Sequence, residues 1–191
     1  MKRRHELLDH LPAYGPMYVP VAENEEKFYG EGYVVRFTKS DGSTWVANFK
    51  PGWTNCCYSK EFKNDRVLVV AYGMGYLMNP DTEIPEKTFD IPIREVIRFD
   101  DQQLIFASDT GIELFESDGI VWTSPRISWG GIRKLKLKDS ILTGESYDPM
   151  NDADTWVDFK IDLKSKEVTG GSYRKYFTDD GQPINKKPSS K

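Results

Sequence analysis

Histidine, the side chain that most often serves as a general base, is confined to the N-terminal end of this sequence. The two histidines are His5 and His10, so a serine or cysteine farther along the chain has no imidazole near it in sequence to accept its proton. The chain also lacks the GxSxG, GxGxxG, Walker, HExxH and paired CxxC patterns, which position catalytic or phosphate-binding groups by their spacing. The sequence therefore argues against nucleophilic catalysis of the Ser/His/Asp or Cys/His type.

One acidic loop carries oxygen ligands close enough together to suggest a cation site. The segment DPMNDAD, residues 148–154, contains Asp148, Asn151, Asp152 and Asp154, and calcium prefers carboxylate and amide oxygens. The spacing lacks the central glycine and the closing glutamate of an EF-hand, and Asp and Asn are also common turn formers. Calcium held by these four residues is one prediction and a solvated turn is the other. No other cofactor is indicated.

Carboxylates near predicted strand ends could form a hydrolytic pair. Glycoside hydrolysis needs two carboxyl groups at a set separation and no histidine, and Glu145, Asp158 and Asp162 are available for it. The sequence does not give their separation, and among 30 acidic residues some pair is always present. A carboxylate-based hydrolase is therefore the third-ranked functional hypothesis.

The tryptophans beside turn residues are the candidate binding residues. Trp53 lies in PGWTN, Trp122 in IVWTSP and Trp129 in SWGG. Tryptophan at a loop tip offers a large contact area with little rotamer entropy, as protein interfaces and sugar-stacking platforms require. The alternative is that these side chains close the ends of the core. Trp45 and Trp156 lie within predicted strands and are expected to pack on a sheet.

The elements that must position these side chains have the composition and alternation of β-strands. Residue types favoured in strands outnumber the strong helix formers. Residues 33–38 and 44–49 alternate on either side of Asp41-Gly42 and predict a hairpin with one aromatic face. Further strands are predicted at 67–71, 76–78, 93–99, 104–107, 111–115, 120–123, 132–137, 141–147, 156–161 and 167–170. Turn residues about every 8 to 12 positions are typical of a sandwich, barrel or propeller.

An internal repeat refines the fold prediction. The segment DRVLVVAYGMGY, residues 65–76, aligns without gaps on DQQLIFASDTGI, residues 101–112, and a looser third copy begins at Asp139. A period of roughly 36 to 40 residues is typical of propeller blades. The predicted fold class is therefore all-β, an antiparallel meander with β-propeller-like repeats or a twisted β-sandwich.

The two ends differ from the middle of the chain. Residues 1–16 have one small leucine cluster that Pro12 would interrupt, which predicts an N-terminal arm or short helix. Residues 178–191 are polar, with a single large apolar residue, and are predicted to be disordered. A single all-β domain is expected over 17–177.

Composition limits the partners and the compartment. The 191 residues are 38% hydrophobic and carry a formal net charge of -4, which disfavours nucleic acid as a partner. No apolar run reaches the roughly 18 to 20 residues that span a membrane, and acidic residues interrupt the MKRRHELLDHL start, unlike a signal peptide. Cys56 and Cys57 are adjacent and are expected to be reduced. We therefore expect a cytoplasmic protein without membrane contact.

The C-terminal half resembles a family of bacterial proteins. Its recurring segments are SPRISWGGI, GESYDPMND, WVDFKIDL and VTGGSY, all between residues 120 and 173. The family that this pattern resembles is β-rich and has no assigned activity, so the resemblance implies no catalytic or binding residue. Small acidic β-rich bacterial proteins are often immunity partners of toxins, which is an analogy at the level of class.

These observations rank the functional hypotheses. The first is a non-enzymatic protein-interaction module, in its most concrete form a bacterial immunity or regulatory protein that binds a basic protein partner. The alternative is a carbohydrate-binding or small-ligand-binding module that uses the same tryptophans. The carboxylate-based hydrolase is third.

Overall fold

The structure, a computed structural model, describes residues 3–14, 17–23, 28–150 and 155–184. Within these ranges the chain forms sixteen β-strands and no α-helix. The strands are β1 (His5–Leu8), β2 (Val19–Val21), β3 (Tyr33–Thr38), β4 (Thr44–Phe49), β5 (Tyr58–Glu61), β6 (Val67–Ala71), β7 (Met74–Met78), β8 (Pro85–Phe89), β9 (Glu95–Arg98), β10 (Leu104–Ala107), β11 (Ile112–Glu116), β12 (Gly119–Thr123), β13 (Ile132–Lys138), β14 (Ile141–Asp148), β15 (Thr155–Asp162) and β16 (Glu167–Gly170). The all-β prediction is confirmed.

The strands form four sheets of four strands each. Their orders are β1-β3-β4-β2, β5-β6-β7-β8, β9-β10-β11-β12 and β13-β14-β15-β16. In the last three sheets each strand pairs with its neighbour along the chain, which is the meander expected for blade-like repeats. The first sheet differs because β2 pairs with β4 in parallel.

The internal repeat coincides with equivalent positions in successive sheets. Residues 65–76 contain β6 and the start of β7, and residues 101–112 contain β10 and the start of β11. Both segments therefore supply a second strand and the turn into a third strand. The looser copy from Asp139 begins with β14, again the second strand of its sheet.

The predicted aromatic hairpin is formed by β3 and β4. Their turn contains Gly42 with φ of +85°, a conformation that glycine adopts without strain. Phe37 pairs in register with Trp45, and the two rings stack at 4.9 Å between centroids. Phe49 meets Tyr76 of β7 at 5.0 Å. The first and second sheets thus share one buried core.

A second core is built mainly from phenylalanines. The buried residues Phe62, Leu68, Val70, Leu77, Phe89, Ile93, Leu104, Phe106 and Phe115 form this cluster. Phe115 lies at its centre, within 6 Å of the ring centroids of Phe62, Phe89 and Phe106. The alternating apolar positions of β6, β10 and β11 supply most of these side chains, as their sequence pattern predicted.

The chain divides into two compact units, where the sequence predicted one domain. Among the described residues, unit 1 lies within 1–106 and 115–120, and unit 2 lies within 107–114 and 121–184. Unit 1 includes both cores described above, and unit 2 includes the whole sheet β13 to β16.

The N-terminal stretch contains a strand where an arm or a short helix was expected. His5–Leu8 form β1, which pairs antiparallel with β3 from His5 opposite Phe37 to Leu8 opposite Val34. Four residues are too few for local propensity to favour a helix, so the open edge of β3 decides their conformation. The folded part of the chain therefore starts before residue 17.

The predicted disordered tail is folded over its first seven residues. Phe177 forms a bridge with Pro183, and the amide of Ile184 donates to the carbonyl of Tyr176 at 2.8 Å. Thr178 closes the turn between them by accepting from the amide of Gln182 at 3.0 Å. The rest of the predicted tail, residues 185–191, lies outside the described residues.

Candidate functional site

Trp53 lies beside a cavity in unit 1. The side chain is 95% exposed, in the loop between β4 and β5. The cavity next to it has a volume of about 280 Å³ and is lined by Glu23, Lys50, Pro51, Gly52, Trp53, Gly73, Met74, Tyr76, Asp90, Ile91 and Pro92. We call this set of residues the Trp53 platform. It is formed by Glu23, by three loops at residues 50–53, 73 and 90–92, and by strand β7, and it combines apolar side chains with three charged ones.

Hydrogen bonds join the three loops to one another. The Thr54 hydroxyl donates to the carbonyl of Ile93 at 2.6 Å and accepts from the amide of Cys56 at 3.1 Å. The amide of Gly73 donates to the carbonyl of Cys56 at 2.8 Å, and the amide of Ile93 donates to the carbonyl of Gly73 at 3.0 Å. The amide of Thr54 donates to the carbonyl of Tyr72 at 2.9 Å. These bonds hold the platform in one arrangement, which lowers the entropy cost of binding.

Two glycines allow this close approach of the loops. A Cβ on Gly52 would lie 2.7 Å from the carbonyl oxygen of Tyr72, and a Cβ on Gly73 would lie 2.4 Å from the hydroxyl of Thr54. Gly73 also has φ of +91°, which favours glycine. Gly73 thus contributes both to the packing of the loops and to the turn between β6 and β7.

The side chain of Tyr76 lines the cavity of the Trp53 platform and is held by a hydrogen bond. The Tyr76 hydroxyl donates to the carbonyl of Lys50 at 2.9 Å. Burial, and then the charge of Glu23, raise the pKa of Tyr76, so this hydroxyl keeps its proton at neutral pH. The side chains of Glu23 and Asp90 outnumber that of Lys50 among the charged lining residues. The platform therefore has a net negative charge.

Removing the Thr54 hydroxyl is expected to destabilise the platform. Thr54→Val keeps the side-chain shape but leaves the amide of Cys56 and the carbonyl of Ile93 without this partner. A buried polar group that loses its partner costs about 1–3 kcal/mol, and urea unfolding should show a loss of that size. Thr54→Ser, which keeps the hydroxyl, is the control. A loss in Thr54→Ser with none in Thr54→Val would mean that the methyl group, and not the hydrogen bonds, joins the loops.

The other two candidate tryptophans lie in unit 2 and are half-buried. Trp122 is part of β12. Trp129 packs against Tyr173 at 5.0 Å and Phe177 at 5.7 Å between ring centroids, and the guanidinium of Arg126 lies 4.6 Å from the Tyr173 ring. Trp129 is therefore engaged with side chains of its own chain, while Trp53 presents its ring to solvent.

The candidate calcium ligands are only partly described. Asn151, Asp152 and Asp154 lie outside the described residues. Asp148 is buried and pairs with the Lys175 ammonium at 3.2 Å. Among the residues that the structure describes, no group of three or more His, Cys, Asp or Glu side chains could hold a metal ion. Calcium binding by this loop stays a prediction.

The candidate hydrolytic carboxylates lie in the fourth sheet. Glu145 and Asp158 are register partners across β14 and β15, and both line a cavity of about 500 Å³. Hydrogen bonds from Lys134 and Arg133 lower the pKa of Glu145, and the backbone amide of Lys164 lowers the pKa of Asp162. A carboxyl group with a lowered pKa is a poor general acid at neutral pH.

The cysteines are free thiols, as expected for reduced residues. Burial raises the pKa of Cys56 to about 11, so its thiol is protonated and weakly nucleophilic at neutral pH.

Sequence reasoning missed the environment of one histidine. His5 is 4% exposed and its Nδ1 lies 3.5 Å from the carboxylate of Glu61, whereas the sequence had placed it in an arm outside the domain. The HELL segment gives no clear alternation, so only the pairing of β1 with β3 reveals this position.

Comparisons with known proteins identify no family. No protein-family model and no curated protein matches the sequence. A solved structure from Bacteroides fragilis, provisionally assigned as a 6-phosphogluconolactonase, is 15% identical with a TM-score of 0.43, over 73% of this chain and 50% of its own. The tricorn protease is 9% identical with a TM-score of 0.31, over 82% of this chain and 23% of its own. This chain thus spans half the length of the first protein and about a quarter of the second.

These similarities carry no functional argument. In the described part of the chain, no helix has the length and apolar character needed to cross a membrane.

Proposed function

We propose that this protein is a non-enzymatic interaction module that binds a basic protein partner through the Trp53 platform. The observation that carries the proposal is the 95% exposed indole of Trp53 on loops that are joined by hydrogen bonds. Exposed tryptophans on rigid supports are typical of interface hot spots, because they bury a large area on binding at a small entropy cost.

The charge of the protein supports a basic partner. The formal net charge is -4, and Glu23 and Asp90 outnumber Lys50 around the platform. Opposite charges accelerate the diffusional encounter of two proteins, and salt screens this effect. We therefore propose an association rate that falls as the salt concentration rises. A cytoplasmic immunity or regulatory role is the most concrete form of the proposal, consistent with the resemblance to β-rich bacterial proteins.

Trp53→Ala is expected to weaken partner binding by about 2 kcal/mol, which is a loss of about 30-fold in affinity. The unfolding free energy should change by less than about 0.5 kcal/mol, because the side chain is exposed. The partner is first captured from lysate of the source organism at low salt and identified by mass spectrometry. Its affinity for each purified variant is then measured by titration.

The matched control is Tyr14→Ala. Tyr14 is 94% exposed and is not among the platform residues, so its loss should leave the affinity unchanged. An equal loss of affinity in both variants, or none in Trp53→Ala, would contradict the proposed contact surface. An association rate independent of salt would contradict a basic partner.

The cavity of about 280 Å³ beside Trp53 favours one alternative, a carbohydrate or another small ligand stacked on the indole. This volume lies just below the lower limit of about 300 Å³ for small-molecule sites, and the lining has a few polar groups among apolar ones, as such sites do. Tryptophan fluorescence against a glycan panel, with and without calcium, separates this alternative from protein binding. A saturable change that Trp53→Ala abolishes would establish the ligand site.

A further inference from the structure

A second cavity in unit 1 is lined by basic side chains. Its volume is about 440 Å³, and its basic residues are Arg3, Lys60, Lys63 and Arg98. None of the residues that line it belongs to the Trp53 platform. In a protein with a net charge of -4, four cations around one cavity form a local region of opposite sign.

The acidic side chains of this cavity already have partners. Asp101 pairs with Arg98. Glu61 accepts from the backbone amide of Arg4 at 3.0 Å and faces His5. Within the described ranges, Arg3, Lys60 and Lys63 form no ion pair with a carboxylate. Because the charges of Arg98 and Asp101 cancel, the three remaining cations against the one carboxylate of Glu61 leave a net charge of about +2 that is available to a ligand.

His5 fixes the position of Arg3. The Arg3 guanidinium lies 3.2 Å from His5 Nε2, and because arginine has no acceptor, Nε2 must accept this bond. The proton of the neutral ring then sits on Nδ1, which faces Glu61 Oε2 at 3.5 Å. Burial and the charge of Arg3 lower the pKa of His5, while Glu61 opposes them. His5 is thus neutral at pH 7. Its Nε2 contacts Arg3, while its Nδ1 faces Glu61.

Lys60 is also held in place. Its ammonium lies 4.9 Å from the centre of the Phe62 ring and 3.5 Å from the carbonyl of Asp100. Burial and then the nearby Arg98 lower the pKa of Lys60, because both disfavour its charge. An anion bound in the cavity would stabilise the charged form of Lys60 and raise its pKa again.

We propose that the cavity lined by Arg3, Lys60 and Lys63 binds the phosphate group of a small molecule. Guanidinium groups present a planar fork that matches phosphate oxygens, and lysines add point charges. The volume of about 440 Å³ leaves room for the group that carries the phosphate, since ligand pockets begin at about 300 Å³. The site is independent of the Trp53 platform and of any protein partner.

Inorganic pyrophosphate is the probe for this site. Titration calorimetry of the full chain should show saturable binding that weakens as salt rises. Arg3→Gln and Lys63→Gln should each weaken binding by about 10-fold or more, the effect of losing about 1.4 kcal/mol. Both side chains are exposed, so these variants should unfold at the same urea concentration as the wild type.

Two controls distinguish binding in this cavity from non-specific electrostatic attraction of pyrophosphate to the protein. Lys164→Gln removes an exposed charge in unit 2 and should leave the affinity unchanged. Arg3→Lys keeps the charge without the planar fork, and its affinity should lie between those of the wild type and Arg3→Gln. An absence of saturable binding at millimolar pyrophosphate would overturn the proposal, as would an equal loss in Lys164→Gln. Equal affinity for citrate would overturn the choice of phosphate.

Discussion

Phe115→Ala is expected to lower the free energy of unfolding by about 3–5 kcal/mol. The side chain is 0% exposed, and its ring centroid lies 4.9 Å from that of Phe106, 5.2 Å from Phe89 and 5.9 Å from Phe62. Truncation removes the transfer free energy of the ring and leaves a cavity whose walls are other aromatic rings. Phe106 lies in β10, Phe89 in β8 and Phe62 directly after β5, so these rings cannot collapse freely into the space.

Urea unfolding followed by far-ultraviolet circular dichroism measures this loss. Phe115→Leu is the second variant, because it keeps an apolar side chain of intermediate size and should remain folded if the alanine variant does not. Its loss should be smaller than that of Phe115→Ala. Ile84→Ala, at a position that is 62% exposed, should change stability by less than about 0.5 kcal/mol. A loss below about 1 kcal/mol in Phe115→Ala would show that Phe115 is not central to this core.

Glu113→Gln is expected to stabilise the protein at pH 8 and to have no such effect at pH 4. Burial raises the pKa of Glu113 from 4.5 to about 7, and within the described part of the chain its buried Oε2 has no hydrogen-bond partner. Between these two pKa values the folded chain holds a proton that the unfolded chain has released. The contribution of Glu113 to the free energy of unfolding therefore falls as the pH rises from about 4.5 to about 7.

The size of this effect follows from the shift. Each pKa unit corresponds to about 1.4 kcal/mol, so the shift from 4.5 to about 7 corresponds to a penalty above pH 7 of at most about 3.5 kcal/mol. Glutamine has nearly the same shape and never ionises, so the variant should recover most of that amount at pH 8. Urea unfolding of both proteins at pH 4 and pH 8 tests this, and the pH 4 comparison is the internal control. A gain of equal size at both pH values would show that the effect is not due to ionisation.

The three candidate tryptophans show how tertiary contacts assign roles to similar sequence contexts. Each lies beside turn residues, so the sequence predicted the same role for all of them. Trp129 is enclosed by Tyr173 and Phe177, which are more than forty positions away along the chain. Trp53 is 95% exposed and lies next to a cavity. The local pattern indicates a loop or a strand end, but distant residues decide whether the ring is covered.

The interior strands follow from the sequence because their side chains alternate or are continuously apolar. The hairpin of β3 and β4 and the strands β6, β7, β10, β11, β14 and β15 were all predicted near their observed bounds. Buried strands must present apolar residues with a period of two or in a short run. This requirement can be recognised in the local sequence. The internal repeat is predictable for the same reason, since successive meanders need the same residues at equivalent positions.

The strands that the sequence did not predict are β1, β2, β5 and β8, and each lies at the edge of its sheet. Edge strands bury little surface on one side and tolerate proline and charge, as VPV in β2 and PEKTF in β8 illustrate. These four sequences therefore carry little signal, unlike those of the edge strands β9, β12, β13 and β16, which were predicted. Pairing with the adjacent strand of the sheet decides the conformation of β1, β2, β5 and β8. The placement of His5 against Glu61, and with it the basic cavity, depends on the pairing of β1.

The sequence by itself determined the all-β class, the meander of the interior strands and the net negative charge. The tertiary structure alone decided which tryptophan is exposed, which histidine is buried and which basic residues share a cavity. The physical reason is that alternation and composition are local properties of the chain. A site, in contrast, depends on contacts between residues that are far apart in sequence, and no local pattern encodes those contacts.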